Sequence, residues 1–333
     1  MPMPQARPVY HPAGHDAPLR AVLQDLKAGR WVSTRNLLTE TPDWGLWTQR
    51  TQILAAAVAG SDVVRTWRQE EPRSVVATVL HCRVAVERAL RAHRAGHRQT
   101  PTLWREAADA CRLASSTSPE DPVPWIGLLA LAQLDEGQRW EEHRLPAPEP
   151  MLFPGPWQLL AQADKRDPGN REAFHRMLQF AYQRRPGAPL TAALNFVQWA
   201  SASAPAGSAL HVLPLYAHVE RYRREGGSER ALDLHWITED ATRNALRALH
   251  LWFDHAMPGW MSLLDLNHLA HALWGAHQFH DALRVFEALE PFFTVVPWTY
   301  RTAVPGDTEA ATDLFVQARA RSYGAAKGHR RRS

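Results

Sequence analysis

The side chains best suited to ligand recognition lie in the segment 266–291. Asn267, His271 and Trp274 are spaced at i, i+4 and i+7, so a helix would place an amide, an imidazole and an indole on one face. The apolar stripe of the same segment occupies other positions. We therefore expect a small recognition surface at these three residues. The alternative is that Trp274 packs against a neighbouring helix while His271 is solvated.

A second pattern, Glu172-Ala-Phe-His175, has the ExxH spacing with which helical di-iron proteins hold metal. Such sites use two ExxH strings and further glutamates, and this sequence offers one string. Its 17 histidines form no HExxH zinc motif, and no P-loop, GxGxxG, GxSxG or kinase string occurs. Glu172 and His175 are therefore metal ligands only in an alternative reading, a metal-dependent, di-iron-like enzyme. The simpler reading is an ordinary polar helix face, and we expect no cofactor.

Basic residues suggest a second alternative, a nucleic-acid-associated regulatory protein. Arginines flank Trp67, Trp104 and Trp140, where a guanidinium and an indole could stack on a base. The chain also ends in a basic cluster, which consists of Lys327, Arg330, Arg331 and Arg332. A net charge of +4 is mild for a nucleic-acid binder, however, and a short basic terminus often only aids solubility. All but three of the 38 basic residues are arginines, a bias typical of high-GC genomes such as those of actinomycetes.

Helical periodicity runs through most of the chain, interrupted by Gly, Pro and Ser, and no segment shows convincing strand alternation. Five prolines between residues 144 and 156 mark the best boundary. The pattern predicts a flexible N-terminal arm (1–17), N-terminal helical repeats (18–143), a Pro-rich loop (144–156), C-terminal helical repeats (157–320) and a basic disordered tail (321–333). The last helix is expected to span Thr308 to Ala320.

The segment 266–291 itself reads as two short amphipathic helices joined by a tight turn. Each helix carries one apolar stripe: Leu266, Leu269, Ala270 and Leu273 on the first, and Phe279, Ala282, Leu283 and Phe286 on the second. A hairpin of this size cannot bury both stripes alone, so it must stack on neighbours. The sequence therefore predicts an all-α fold of stacked helical hairpins.

These residues resemble the tetratricopeptide repeat in a degenerate form. The match is good for 266–291, with Pro291 after its end, and partial for three or four other units, among them 19–38 and 103–119. The Asp-Pro pairs at 121–122 and 167–168 are spaced more widely than the repeat of about 34 residues. The resemblance implies a solenoid whose concave groove is lined by Asn267, His271 and Trp274. The family's two-carboxylate clamp would need basic residues where His268 and His271 stand.

Together these patterns predict a non-catalytic scaffold or adaptor that binds a protein or peptide in a helical groove. Cys82 and Cys111 lie in apolar helical patterns and are expected to be small core residues. The first residues lack the apolar core of a signal peptide, and no apolar run has the length of a membrane span. A cytoplasmic location without membrane association is therefore expected.

Overall fold

The three-dimensional structure is a computed structural model, and it describes residues 7–183, 190–225, 234–302, 304 and 306–330. Helices dominate these residues, which form no strand; isolated bridges pair Val9 with Phe292 and Leu145 with Gly155. The predicted all-α class is confirmed. None of the helices in the described ranges is both long enough and apolar enough to cross a bilayer.

The helices group into two compact units. The N-terminal unit comprises residues 16–196, and the C-terminal unit comprises residues 197–333 together with residues 1–15. The stretch 144–156, predicted as a Pro-rich loop between repeats, lies within the N-terminal unit. The division between the units falls inside one helix, Thr191–Ala202.

Within its described residues the N-terminal unit has ten α-helices, the last of which continues across the division. They are α1 (Ala17–Lys27), α2 (Val32–Thr39), α3 (Trp44–Val58), α4 (Val63–Glu70), α5 (Val75–Arg94), α6 (Thr100–Thr117), α7 (Val123–Ala132), α8 (Trp157–Arg166), α9 (Arg171–Gln183) and α10 (Thr191–Ala202). Side-chain caps fix several starts: Asp16, Asp43 and Ser74 accept hydrogen bonds from backbone N–H groups in the first turns of α1, α3 and α5.

Small residues let α5, α6 and α7 pack closely. Ala107, Ala108, Cys111 and Ala114 form the buried face of α6, as their spacing predicts. Cys82 of α5 is also fully buried. A side chain at Gly127 of α7 would come within 2.8 Å of Cys111 Sγ, so only glycine permits this approach without a shift.

The C-terminal unit contains the predicted hairpin. The α-helices in the part of this unit that the structure describes are α11 (Leu213–Glu225), α12 (Glu239–Ala248), α13 (Leu263–Gly275), α14 (Phe279–Leu289) and α15 (Thr308–Arg330). A π-helical turn, Leu249–Phe253, directly follows α12. The aromatic core joins Phe286 of α14, Phe315 of α15 and Trp298 of the connecting segment, with ring centroids 5.3 to 6.1 Å apart.

The N-terminal segment differs from its prediction. Sequence composition predicts a flexible arm over 1–17, yet residues 7–15 pack on the C-terminal unit. The Val9 N–H donates to the Pro291 carbonyl at 2.9 Å, and the Phe293 N–H donates to the Val9 carbonyl at 3.1 Å. Ala13 is buried. Residues 1–6 of the predicted arm lie outside the described residues.

The C-terminal helix also differs from its prediction, because α15 continues through Arg330 where the sequence predicts a disordered tail from residue 321. Its buried stripe explains the continuation: Phe315, Ala318, Ser322 and Ala326 follow one another at helical spacing and are all buried. The Ser322 hydroxyl donates to the Ala318 carbonyl at 2.9 Å, so its polar group is satisfied inside the helix. Residues 331–333, with Arg331 and Arg332, are outside the described ranges.

Candidate functional site

The predicted hairpin forms through a turn of three residues between α13 and α14. His277 takes a left-handed backbone conformation with φ of 60°. The N–H groups of His277 and Gln278 donate back to the carbonyls of Trp274 and Leu273 at 3.1 and 2.9 Å. These bonds satisfy the last carbonyls of α13 and turn the chain into α14.

Asn267 lies in the interior of the C-terminal unit and is fully buried. Its side-chain amide donates to the Leu263 carbonyl at 2.8 Å, and its side-chain oxygen accepts from the indole N–H of Trp298 at 2.9 Å. The amide therefore pairs a buried indole with the first turn of α13, and both of its ends are used inside the protein.

His271 lies one turn further along α13 and is 3% exposed. The rings of Trp236 and Trp298 meet it edge-to-face at centroid distances of 5.0 and 5.1 Å. Neither ring nitrogen has a hydrogen-bond partner among the described residues. Burial holds the pKa of His271 well below its usual range, and Arg301 and two other histidines lower it further, so the ring is neutral near pH 7.

Trp274 is the outermost of the three predicted site residues and is half-buried. The guanidinium of Arg301 lies 4.7 Å from the centre of its ring, within the range of a cation–π contact. The structure thus brings Asn267, His271 and Trp274 together on one helix face, as their spacing predicts. It packs them in the interior of the unit, where Asn267 and His271 have almost no surface that a partner could reach.

Glu172, a ligand in the metal-site alternative, forms a buried ion-pair network instead. It accepts from Arg83 of α5 at 2.8 and 2.5 Å and from Arg176 at 2.9 and 3.1 Å. Burial alone would raise the pKa of Glu172, but the two guanidiniums outweigh it and lower the pKa to about 2. Both carboxylate oxygens are therefore engaged. His175 is half-buried on the same helix, and no three potential metal ligands gather anywhere in the described part of the chain.

The tryptophans beside arginines also take structural roles. Trp67 is fully buried, stacks on Trp31 at 5.1 Å, and donates its indole N–H to Glu71 at 2.8 Å. Trp104 stacks on Trp140 at 5.3 Å and donates to the Leu131 carbonyl at 3.1 Å. Of these rings, Trp140 alone has a large exposed fraction, 51%.

An open groove lies between α14 and α15, where sequence reasoning expects a disordered tail. Its volume is about 290 Å³, and its lining consists of His280, Leu283, Arg284, Glu287, Tyr323, Ala326 and Lys327. Residues at i, i+3, i+4 and i+7 of α14 supply one wall. The groove exists because α15 extends beyond Ala320. The spacing of Ser322 and Ala326 after Ala318 is the sequence signal that could have revealed it.

Charged and aromatic side chains shape this groove, which we call the α14–α15 groove. Arg284 is held by Asp254, at 2.5 Å, and more loosely by Asp281, at 3.7 Å. The Lys327 ammonium lies 4.5 Å from the centre of the Tyr323 ring. Beside the groove, the guanidinium of Arg321 lies 4.9 Å from the centre of the Phe279 ring. The site thus combines an apolar strip with charged groups of both signs.

Comparison of the chain with known proteins adds no assignment to these observations: no family model, no curated protein and no solved structure matches it.

Proposed function

We propose that this protein is a non-catalytic helical scaffold or adaptor that binds a protein or peptide partner. The observation that carries the proposal is the α14–α15 groove, which presents apolar and charged side chains together at the surface. Recognition sites for peptides commonly combine an apolar anchor position with a few polar groups that fix orientation.

The use made of buried polar groups also supports a scaffold. Arg50 and Asp16 pair at 2.8 Å, Arg83 pairs with Glu172, and Asn267 pairs with Trp298. Each of these buried groups joins one segment of the chain to another. A rigid interior of this kind holds surface residues in a fixed arrangement, which lowers the entropy lost on binding.

The proposal extends to a tetratricopeptide-like arrangement of the hairpins. The support is local: α13 and α14 form a hairpin with a three-residue turn, and α15 packs on α14. The three helices pack in chain order, α13 on α14 and α14 on α15, as neighbouring helices do in stacked repeats. The peptide surface that we propose is the junction of α14 and α15. It replaces the face of α13 that carries Asn267 and His271.

A selection of displayed random peptides on the full chain tests the proposal without assuming a partner. Selected peptides are then titrated by fluorescence anisotropy against the wild type, Leu283→Arg in the groove, and Leu113→Arg on the exposed face of α6. Binding that survives Leu113→Arg and is lost in Leu283→Arg supports the proposal. Failure to enrich any peptide, or equal binding by both variants, contradicts it.

A further inference from the structure

Residues 7–15, which we call the docking segment, lie on the C-terminal unit as an extended peptide lies on its receptor. The segment contains no helix. Its backbone pairs with the chain that follows α14, since the Val9 N–H donates to the Pro291 carbonyl at 2.9 Å and the Phe293 N–H donates to the Val9 carbonyl at 3.1 Å. Peptides that add to the edge of a sheet make backbone bonds of this kind. The side chains of Val9 and Tyr10 remain exposed, at 49% and 60%.

Small residues fix the position of the docking segment. Pro8, Ala13 and Gly14 are buried. Gly14 has a φ of 48°, and a Cβ atom added to it would lie 2.7 Å from the side chain of Leu263 in α13. A larger residue at position 14 would therefore need both an unfavourable backbone conformation and a shift of a buried leucine. We call Leu263 and residues 291–293 the docking site. This site selects a glycine at position 14 of the segment that it binds.

The docking segment is joined to the other compact unit through one peptide bond. His15 belongs to the C-terminal unit, and its ring meets Phe292 edge-to-face at 5.0 Å. Asp16 belongs to the N-terminal unit, where its buried carboxylate accepts from Arg50 at 2.8 and 3.2 Å and from the Leu19 N–H at 2.9 Å. The contacts of the docking segment named above all lie within the C-terminal unit. The site therefore offers the same contacts to the segment of any copy of the chain.

These features meet the conditions for exchange of a segment between copies. Domain swapping requires an element with a docking site of its own, and short hinges promote it. The docking segment has such a site, and its hinge is limited to the residues around His15. Both docking sites of an exchanged dimer are filled, as they are in two monomers. The dimer therefore keeps the contacts of the monomer and is favoured as the protein concentration rises.

We propose that the docking site on the C-terminal unit binds residues 7–15 of a second copy of this chain. Two copies then form a symmetric dimer in which each supplies its docking segment to the other. The inference goes beyond the proposed function, because neither Leu263 nor residues 291–293 line the α14–α15 groove.

Sedimentation velocity and a covalent lock test the exchange in the full chain. The dimer fraction of the wild type should rise between about 10 µM and 1 mM, since docking within one chain competes with an effective concentration in the millimolar range. The lock is Val9→Cys/Phe292→Cys, at two β-bridge partners. Neighbouring strands lie about 4.8 Å apart, which suits the Cα spacing of a disulfide. Oxidised in dilute solution, this variant should stay monomeric at concentrations where its reduced form dimerises.

Two outcomes of these measurements overturn the inference. One is a wild-type chain that stays monomeric up to about 1 mM. The other is a locked chain that dimerises as its reduced form does, because the dimer would then use another surface.

A mixture of two single variants identifies the exchanged segment directly. Copies with Val9→Cys are mixed with copies with Phe292→Cys and oxidised, so that a disulfide between two chains reports docking of one copy on the other. The native Cys82 and Cys111 are fully buried. We expect a cross-linked dimer from this mixture. The control mixture, Val9→Cys with Leu113→Cys at an exposed position of α6, should give none.

Substitutions in the docking segment provide a matched pair. Gly14→Val added to the Val9→Cys copy should abolish the cross-link, because its side chain would collide with Leu263. Tyr10→Ala should leave the cross-link unchanged, since Tyr10 is exposed. Circular dichroism and thermal unfolding confirm that each variant is folded. Absence of the cross-link without these substitutions, or a cross-link that survives Gly14→Val, contradicts the inference.

Discussion

At the scale of single residues, the largely apolar interior of the C-terminal unit also contains polar side chains that pack among its aromatic rings. The side-chain oxygen of Asn267 accepts a hydrogen bond from the indole of Trp298. The imidazole of His271 meets two indole rings edge-to-face, one of which is that of Trp298. Such groups are tolerated in a core when they stay neutral or are hydrogen-bonded. The stability of the C-terminal unit therefore depends on the hydrogen bonds of these groups and on the pH.

Asn267→Ala should destabilise the protein by about 1–3 kcal/mol, because it leaves the Trp298 indole N–H buried without an acceptor and opens a small cavity. Urea unfolding followed by tryptophan fluorescence measures the change. Asn36→Ala, at an exposed asparagine of α2, is the control and should stay within about 0.5 kcal/mol of the wild type. Equal losses in the two variants would refute the assigned role of Asn267.

Acidification should destabilise the C-terminal unit through its buried histidines. Burial is the main reason that the pKa of His218 falls to about 4 and that the pKa of His271 lies well below its usual range. The unfolded chain therefore takes up protons first, near pH 6.5. Stability is fully present above that pH and decreases as the pH falls towards 4, by about 1.4 kcal/mol per pH unit for each such histidine.

His271→Phe should reduce the slope of stability against pH between 6.5 and 4, since it removes one of these protonation sites while keeping an aromatic ring. Unfolding free energies measured across this pH range provide the test. His280→Phe, at an exposed histidine, should leave the slope as it is. A slope that does not change in His271→Phe would show that this imidazole is already accessible to protons in the folded state.

At the scale of elements, buried ion pairs join helices that are distant in sequence. Arg83 of α5 and Glu172 of α9 are both almost fully buried, and Arg176 adds a second guanidinium. Removing one charge leaves the other buried without a counter-charge, which is destabilising. Replacing both charged residues by apolar residues avoids this penalty. We therefore expect the network to favour the pairing of α5 with α9 more than it adds to net stability.

Glu172→Leu alone should lower the free energy of unfolding by about 3–5 kcal/mol, and the double variant Arg83→Met/Glu172→Leu should recover much of that loss. Denaturant unfolding of the full chain, read at the transition of the N-terminal unit, measures the free energy of unfolding of both variants. Asp109→Leu breaks the exposed pair between Arg112 and Asp109 and should cost no more than about 1 kcal/mol. A double variant as unstable as Glu172→Leu would argue that Arg83 has a further role.

The C-terminal half of α15 should matter for both stability and binding. A chain that ends at Ala320 loses Ser322 and Ala326 from the buried stripe, and with Tyr323 and Lys327 one wall of the groove. We expect a lower melting temperature by calorimetry and no groove-dependent peptide binding. A chain that ends at Arg330 is the control and should resemble the full chain. Unaltered binding in the shorter chain would place the site elsewhere.

Local patterns in the sequence predict much of the helical structure. Cys82 and Cys111 are small core residues as expected, and the hairpin of 266–291 forms as expected. These segments carry their own caps, stripes and turns. What the sequence could not indicate are the non-local pairings: Arg83 with Glu172, Asn267 with Trp298, and residues 7–15 with residues 291–293. Asn267 is buried because it pairs with Trp298. Helical spacing alone does not show whether the face that carries Asn267 is buried or exposed.

At the scale of the whole molecule, the two compact units do not follow the order of the chain. The first residues of the sequence belong to the unit formed by the last ones. Val9 exchanges backbone hydrogen bonds with residues 291 and 293, and the His15 ring meets Phe292 edge-to-face at 5.0 Å. All of these contacts lie within the C-terminal unit.

Deleting residues 1–15 should therefore weaken the C-terminal unit and spare most of the N-terminal one. Hydrogen exchange read by mass spectrometry should show faster exchange in α13 and α14, and unchanged protection in α5 and α6. A deletion of residues 1–6 serves as the control. Equal acceleration in both units would mean that the segment stabilises the chain in some other way.

The backbone bonds between Val9 and the segment around Phe292 have a consequence for biosynthesis. Val9 lies far before Phe292 in the sequence, and at about 5–20 residues per second the ribosome makes Phe292 on the order of tens of seconds after Val9. The N-terminal unit has that time to form during translation. The C-terminal unit cannot be completed until residues 291–293 have left the ribosome, so Val9 remains without these backbone partners until then.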